Sequence, residues 1–103
     1  MIRGTTPTIT MTLPEEIPVD EVTAAVFSIA QAGQEIISKN LSELTVDATS
    51  NTLAVTLLQE DTLALDKDIV AEIQIKVKTN AERVLASDII RTSVDRIING
   101  EVI

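Results

Sequence analysis

Apolar and polar residues alternate along much of this chain, most cleanly between Thr52 and Lys78. Leu53, Val55 and Leu57 alternate with Thr52, Ala54 and Thr56, and Ile69, Ala71, Ile73, Ile75 and Val77 alternate with Val70, Glu72, Gln74, Lys76 and Lys78. Successive side chains of a strand point to opposite faces, so a period of two marks a half-buried strand. The pattern predicts two strands joined as a hairpin through an acidic corner, Gln59, Glu60, Asp61 and Thr62. A core then lies on the Ile73 and Ile75 side of the second strand.

The same period recurs elsewhere. Thr8, Ile9, Thr10, Met11, Thr12 and Leu13 alternate hydroxyl with apolar residues until Pro14, which cannot donate to a ladder. Val22 to Ser38 admits either a helix started by Asp20 or two strands about Gln31-Ala32-Gly33-Gln34. Gly33 costs a helix about 1 kcal/mol relative to alanine and suits a hairpin turn, so we read strand, turn, strand, with Phe27 inward. Lys39-Asn40 reads as a turn, Leu44 to Asp47 as a short strand, and Ala48 to Asn51 as a polar turn. Val84 to Ile98 again admits a helix, but a strand with Ile90, Thr92 and Val94 inward and Arg91, Ser93 and Asp95 outward is more economical. Asn99-Gly100 marks a tight turn before Glu101-Val102-Ile103. Together these predict an all-β fold, a single antiparallel immunoglobulin-like β-sandwich of about seven strands with a short flexible N-terminal arm, Met1 to Thr6. The alternative is an α+β domain with Val22 to Ser38 and Ala81 to Ile98 as helices on a four-stranded sheet.

Length and composition narrow this further. At 103 residues the chain suffices for one two-layer core. Phe27 is the only aromatic residue, so that core is aliphatic and offers no stacking platform for bases or sugars. A net charge of -8 repels phosphate, which disfavours nucleic acid and anionic membrane surfaces as partners. The chain has no Cys and no His, which removes disulfides, thiol or imidazole catalysis and the usual zinc ligands. The first residues lack the apolar run of a signal peptide, and nowhere do about 18 apolar residues follow one another as in a membrane span.

Candidate chemistry is sparse. Gln59, Glu60, Asp61 and Thr62 read as a structural corner that caps backbone N–H groups. With Asp66, Lys67 and Asp68 they supply oxygens for a calcium ion, but not at the spacing of an EF-hand loop. Glu15, Glu16, Asp20 and Glu21 form an acidic run between prolines that reads as solvated rather than as a paired-carboxylate site. No catalytic, cofactor-binding or metal-ligating set emerges. Thr8, Ile9, Thr10, Met11 and Thr12 form a strand with no lysine or bulge to blunt its edge, which suits the addition of a neighbouring strand.

Ile2-Arg3-Gly4-Thr5-Thr6-Pro7-Thr8, Ala30-Gln31-Ala32-Gly33, Leu57-Leu58-Gln59-Glu60-Asp61-Thr62-Leu63, Glu72-Ile73-Gln74-Ile75 and Val94-Asp95-Arg96-Ile97-Ile98 resemble segments of small prophage-encoded proteins of Gram-positive gut bacteria. The chain is also distantly similar to the N-terminal β-sandwich of phage baseplate upper proteins. It departs from that pattern in having no aromatic other than Phe27 in its first two strands and in its acidic connection, Glu15 to Glu21. The resemblance implies a virion or tail-associated structural module. Such a module would assemble with itself or with other phage structural proteins, in the virion or in the host cytoplasm during assembly. It supplies no catalytic residues. An accessory domain that binds calcium or a cell-surface ligand through the loops from Asp61 to Asp68 is the alternative.

Overall fold

The alternation resolves into eight strands in a computed structural model that describes every residue from Met1 to Ile103. They are β1 (Thr8–Thr12), β2 (Val22–Gln31), β3 (Gln34–Asn40), β4 (Thr45–Asp47), β5 (Thr52–Thr56), β6 (Ala71–Thr79), β7 (Val84–Ala86) and β8 (Ile90–Thr92), with one short helix, α1 (Gln59–Leu63), between β5 and β6. Val22–Asn40 and the stretch beyond Ala81 are strands and loops, which disposes of the two-helix alternative. No helix is long and apolar enough to cross a membrane.

Two antiparallel sheets pack face to face. One has the order β1-β5-β4; the other has the order β3-β2-β6-β7, with β8 paired to β6 beyond β7. An immunoglobulin variable-type sandwich has strands A, B, E and D on one sheet and C′, C, F and G among those on the other. Here β1, β5 and β4 stand as B, E and D, and β3, β2, β6 and β7–β8 stand as C′, C, F and G. The place of strand A, beside β1, holds no strand.

The inward positions are those the period of two selects. Phe27 and Ile29 of β2, Leu53 and Val55 of β5, and Ala71, Ile73, Ile75 and Val77 of β6 are buried, with Leu57, Leu65 and Val94 closing the core. Ile69, expected to share the inner face of β6, instead lies in the loop before it and is 38% exposed.

Four further expectations change. β5 and β6 do not form a hairpin. They lie in different sheets, and the acidic corner is the one-turn helix that carries the chain between them. Val84 to Ile98 breaks into two strands. Ser87 donates its N–H to the Ile75 carbonyl and accepts the Ile75 N–H on Oγ. The register on β6 then slips by one residue, from Val77–Leu85 to Ile73–Ile90. Lys39 and Asn40 end β3, and the Asn40 side chain caps the following 3₁₀ turn by accepting from Ser42 N. The first residues are docked rather than free. The Met1 ammonium donates to Ser93 O at 2.8 Å, Ile2 bridges Asp95 in parallel, and Arg3 Nη2 donates to Leu63 O at 2.8 Å.

Loops are held by side-chain amides. Asn51 sits at φ 57° at the end of the β4–β5 turn. Its Oδ1 accepts from Val19 N at 2.7 Å, and its Nδ2 donates to the carbonyls of Leu13, Pro14 and Ile17. One amide thus satisfies four backbone groups of the acidic connection, a loop with no ladder of its own. Gln31, 3% exposed, does the same for the loop before β6: Nε2 donates to Asp66 O and Ile69 O, and Oε1 accepts from Asp66 N. In the same β4–β5 turn, hydrogen bonds from the Ser50 N–H, the Ser50 hydroxyl and the Thr49 N–H hold the Asp47 carboxyl below its ordinary 3.8.

Asn51→Ala strands carbonyls and the Val19 N–H in a part-buried site and is expected to cost about 3 kcal/mol in urea unfolding; a loss within the error of that measurement would show that water replaces the amide. Ala32 and Gly33, at φ 51° and 78°, form the type I′ turn of the β2–β3 hairpin, where Ala32 carries a Cβ in the left-handed region. Ala32→Asn is expected to stabilise by about 1 kcal/mol, read as a raised midpoint at unchanged slope.

Candidate functional site

β1 is an edge strand. In its register with β5, Leu57 N donates to Pro7 O and Leu13 N to Asn51 O, so the bonded pairs are the odd-numbered residues, Ile9–Val55 and Met11–Leu53 among them. Antiparallel pairs alternate between bonded and non-bonded. The N–H and C=O groups of Thr8, Thr10 and Thr12 therefore point away from β5, toward the empty place of strand A. Their side chains lie on the exposed outer face, where the Thr8 and Thr56 hydroxyls meet at 2.8 Å, while Ile9 and Met11 face inward and are only half-buried.

An apolar cleft of about 360 Å³ opens along this edge. Ile9, Met11 and Leu13 form one wall; Ile73, Ile75 and Val77 form the floor; Leu85 and Ile90 form the far wall. Ile90 stands opposite Ile73 in the ladder and so faces the inner side as expected, yet it remains 59% exposed because no strand covers it. No lining residue is charged or titratable. The polar side chains at the far wall are already engaged, with Gln74 Nε2 donating to Ser87 O at 2.9 Å and Ser87 Oγ donating to Asp88 O at 3.0 Å. The charges flank the lining residues in the chain: Glu15 and Glu16 follow Pro14 and Asp88 follows Ser87, all exposed and unpaired, while Lys76 stands between Ile75 and Val77 and Arg91, after Ile90, pairs with Glu72.

The corner lies elsewhere and is engaged internally. Asp61 Oδ2 accepts from Leu58 N at 2.8 Å and pairs with Lys39 Nζ at 2.9 Å, joining α1 to β3 of the other sheet. Thr62 is fully buried and donates to Thr5 O, and Gln59 brackets the backbone of Ile103 with both ends of its amide. Asp66 and Asp68 do not converge with Asp61; no three acidic side chains gather anywhere into a set that could hold a metal ion. Glu15, Glu16, Asp20 and Glu21 are likewise exposed and spread over two turns.

Sequence reasoning found the β1 edge through its uninterrupted alternation. It missed the cleft, because a cavity between two sheets depends on which strand is absent. It also missed Asn51 and Gln31, each an ordinary polar residue beside a turn in the primary structure.

The free edge makes a residue-level prediction for hydrogen exchange. Amides of Ile9 and Met11 are expected to be protected and those of Thr8, Thr10 and Thr12 to exchange close to the open-chain rate. Equal protection at Thr10 and Met11 in the isolated protein would mean that the edge is already covered.

No protein-family model matches the chain, and no curated protein matches it.

Proposed function

We propose that this protein is a non-enzymatic structural or assembly module of prophage type, associated with a phage tail or baseplate, which joins other structural proteins through the free edge of β1. The observation that carries the reading is the row of unpaired backbone groups on Thr8, Thr10 and Thr12 beside an uncharged apolar cleft. Natural sandwiches blunt such edges with lysine, proline or bulges. Here the edge from Thr8 to Thr12 carries none, in a chain otherwise rich in charge. The lining supports a binding role rather than catalysis, since its hydroxyls, Thr10, Thr12 and Ser87, have no acid or base among the lining residues to activate them. The resemblance of the Gly4-Thr5-Thr6-Pro7-Thr8 and Gln59-Glu60-Asp61-Thr62-Leu63 segments to prophage proteins supports the assignment to a virion.

Mass spectrometry of particles purified after prophage induction in the source strain is the direct test. Peptides of this chain are expected at a copy number comparable to that of tail or baseplate proteins. Its absence from particles that contain those proteins would sink the virion assignment.

A further inference from the structure

The vacant place beside β1 has a defined shape, and three observations specify what fills it. The N–H and C=O groups of Thr8, Thr10 and Thr12 require an extended backbone, because only a strand matches donors and acceptors spaced two residues apart. Ile9, Met11, Leu85 and Ile90 require that alternate side chains of that strand be apolar, since they border a cleft with no charge to satisfy. The net charge of -8, with exposed and unpaired Glu15, Glu16 and Asp88 next in the chain to lining residues and Arg91 already paired with Glu72, favours basic or neutral residues at its other positions.

From these we infer that the cleft is a receptor for a donated strand, an extended segment of another protein with alternating apolar and basic residues, which completes the sandwich in the position of strand A. This rests on the β1 edge being the working surface and names the class of partner that it takes. A second copy paired β1 to β1 fits less well. Two copies each of net charge -8 would bring like charge together. Met1 to Arg3 do not fill the place either: they run beside Ser93–Asp95, and none of them lines the cleft.

A synthetic peptide of about seven residues, the length of an ordinary strand, serves as the probe: Val-Lys-Val-Thr-Ile-Lys-Val, against a twin with glutamate in place of lysine. Titrated into the full chain, the basic peptide is expected to protect the Thr8, Thr10 and Thr12 amides from exchange and to bind more tightly than its acidic twin, with a difference that shrinks as salt is raised. Thr10→Pro removes one outward N–H without touching the bonded pairs with β5, and is expected to weaken binding by about tenfold, the worth of a lost hydrogen bond. Ile90→Lys leaves β1 intact and places a cation in the far wall, and should weaken the basic peptide while sparing or favouring the acidic one. No protection of the threonine amides at about 1 mM peptide, a concentration at which even a weak complex forms, overturns the inference. So does equal binding of the two peptides, or a wild-type dimer in sedimentation whose Thr10 amide is already protected. These readouts use purified protein and do not depend on where it is found, so binding by a chain absent from particles would sink the virion assignment alone.

Discussion

The pairing of β2 with β6, from Val22–Thr79 to Gln31–Ala71, is the constraint on which the other elements depend. It places Phe27 against Ile75 and Ile29 against Ile73, and so creates a continuous apolar face that water would otherwise cover. With a single aromatic side chain available, that face needs close contact from many aliphatic ones. Leu53, Val55 and Leu57 on the opposite sheet and Leu65 and Val94 from the connections supply it. The smaller sheet is thus held chiefly by what it covers.

Two of the three crossings between the sheets depend on polar side chains that act for a missing ladder. Asn51 secures the connection between β1 and β2, Gln31 the one between α1 and β6, and the Lys39–Asp61 pair ties the corner back to β3. A backbone that leaves a sheet near the core must find partners for its N–H and C=O groups, and a carboxamide can serve donors and acceptors together. The acidic appearance of the corner therefore reflects its position in the fold. Asp61 is an acceptor for Leu58 N and Lys39, and Thr62 is a donor toward Thr5 O.

The open flank has a similarly simple origin. The larger sheet continues past β6 into β7 and β8, while the smaller stops at β1, so the inner faces of Leu85 and Ile90 have no strand above them. An immunoglobulin-like sandwich would fill this position with strand A. Apolar walls and unsatisfied backbone groups occur side by side because both were left by the same missing strand, which is why the proposed partner is an extended chain rather than a compact ligand.

The sequence by itself determined the inward faces of the strands whose alternation is uninterrupted. Alternation in Thr8–Leu13, Thr52–Thr56 and Ala71–Val77 identifies which side chains are buried, because the period of a strand is a local property of its backbone. It also identified the Ala32-Gly33 turn, whose conformation depends on two adjacent residues. Which strands become neighbours is not local. That β5 pairs with β1 and not β6, that Ser87 shifts the last ladder by one residue, that Asn51 reaches Leu13 and Gln31 reaches Asp66, were decided only when the two sheets closed on one another. The cleft belongs to this second group. Its walls come from β1, β6, β7 and β8, and its existence follows from the difference in width between two sheets, a quantity no segment of the chain carries alone.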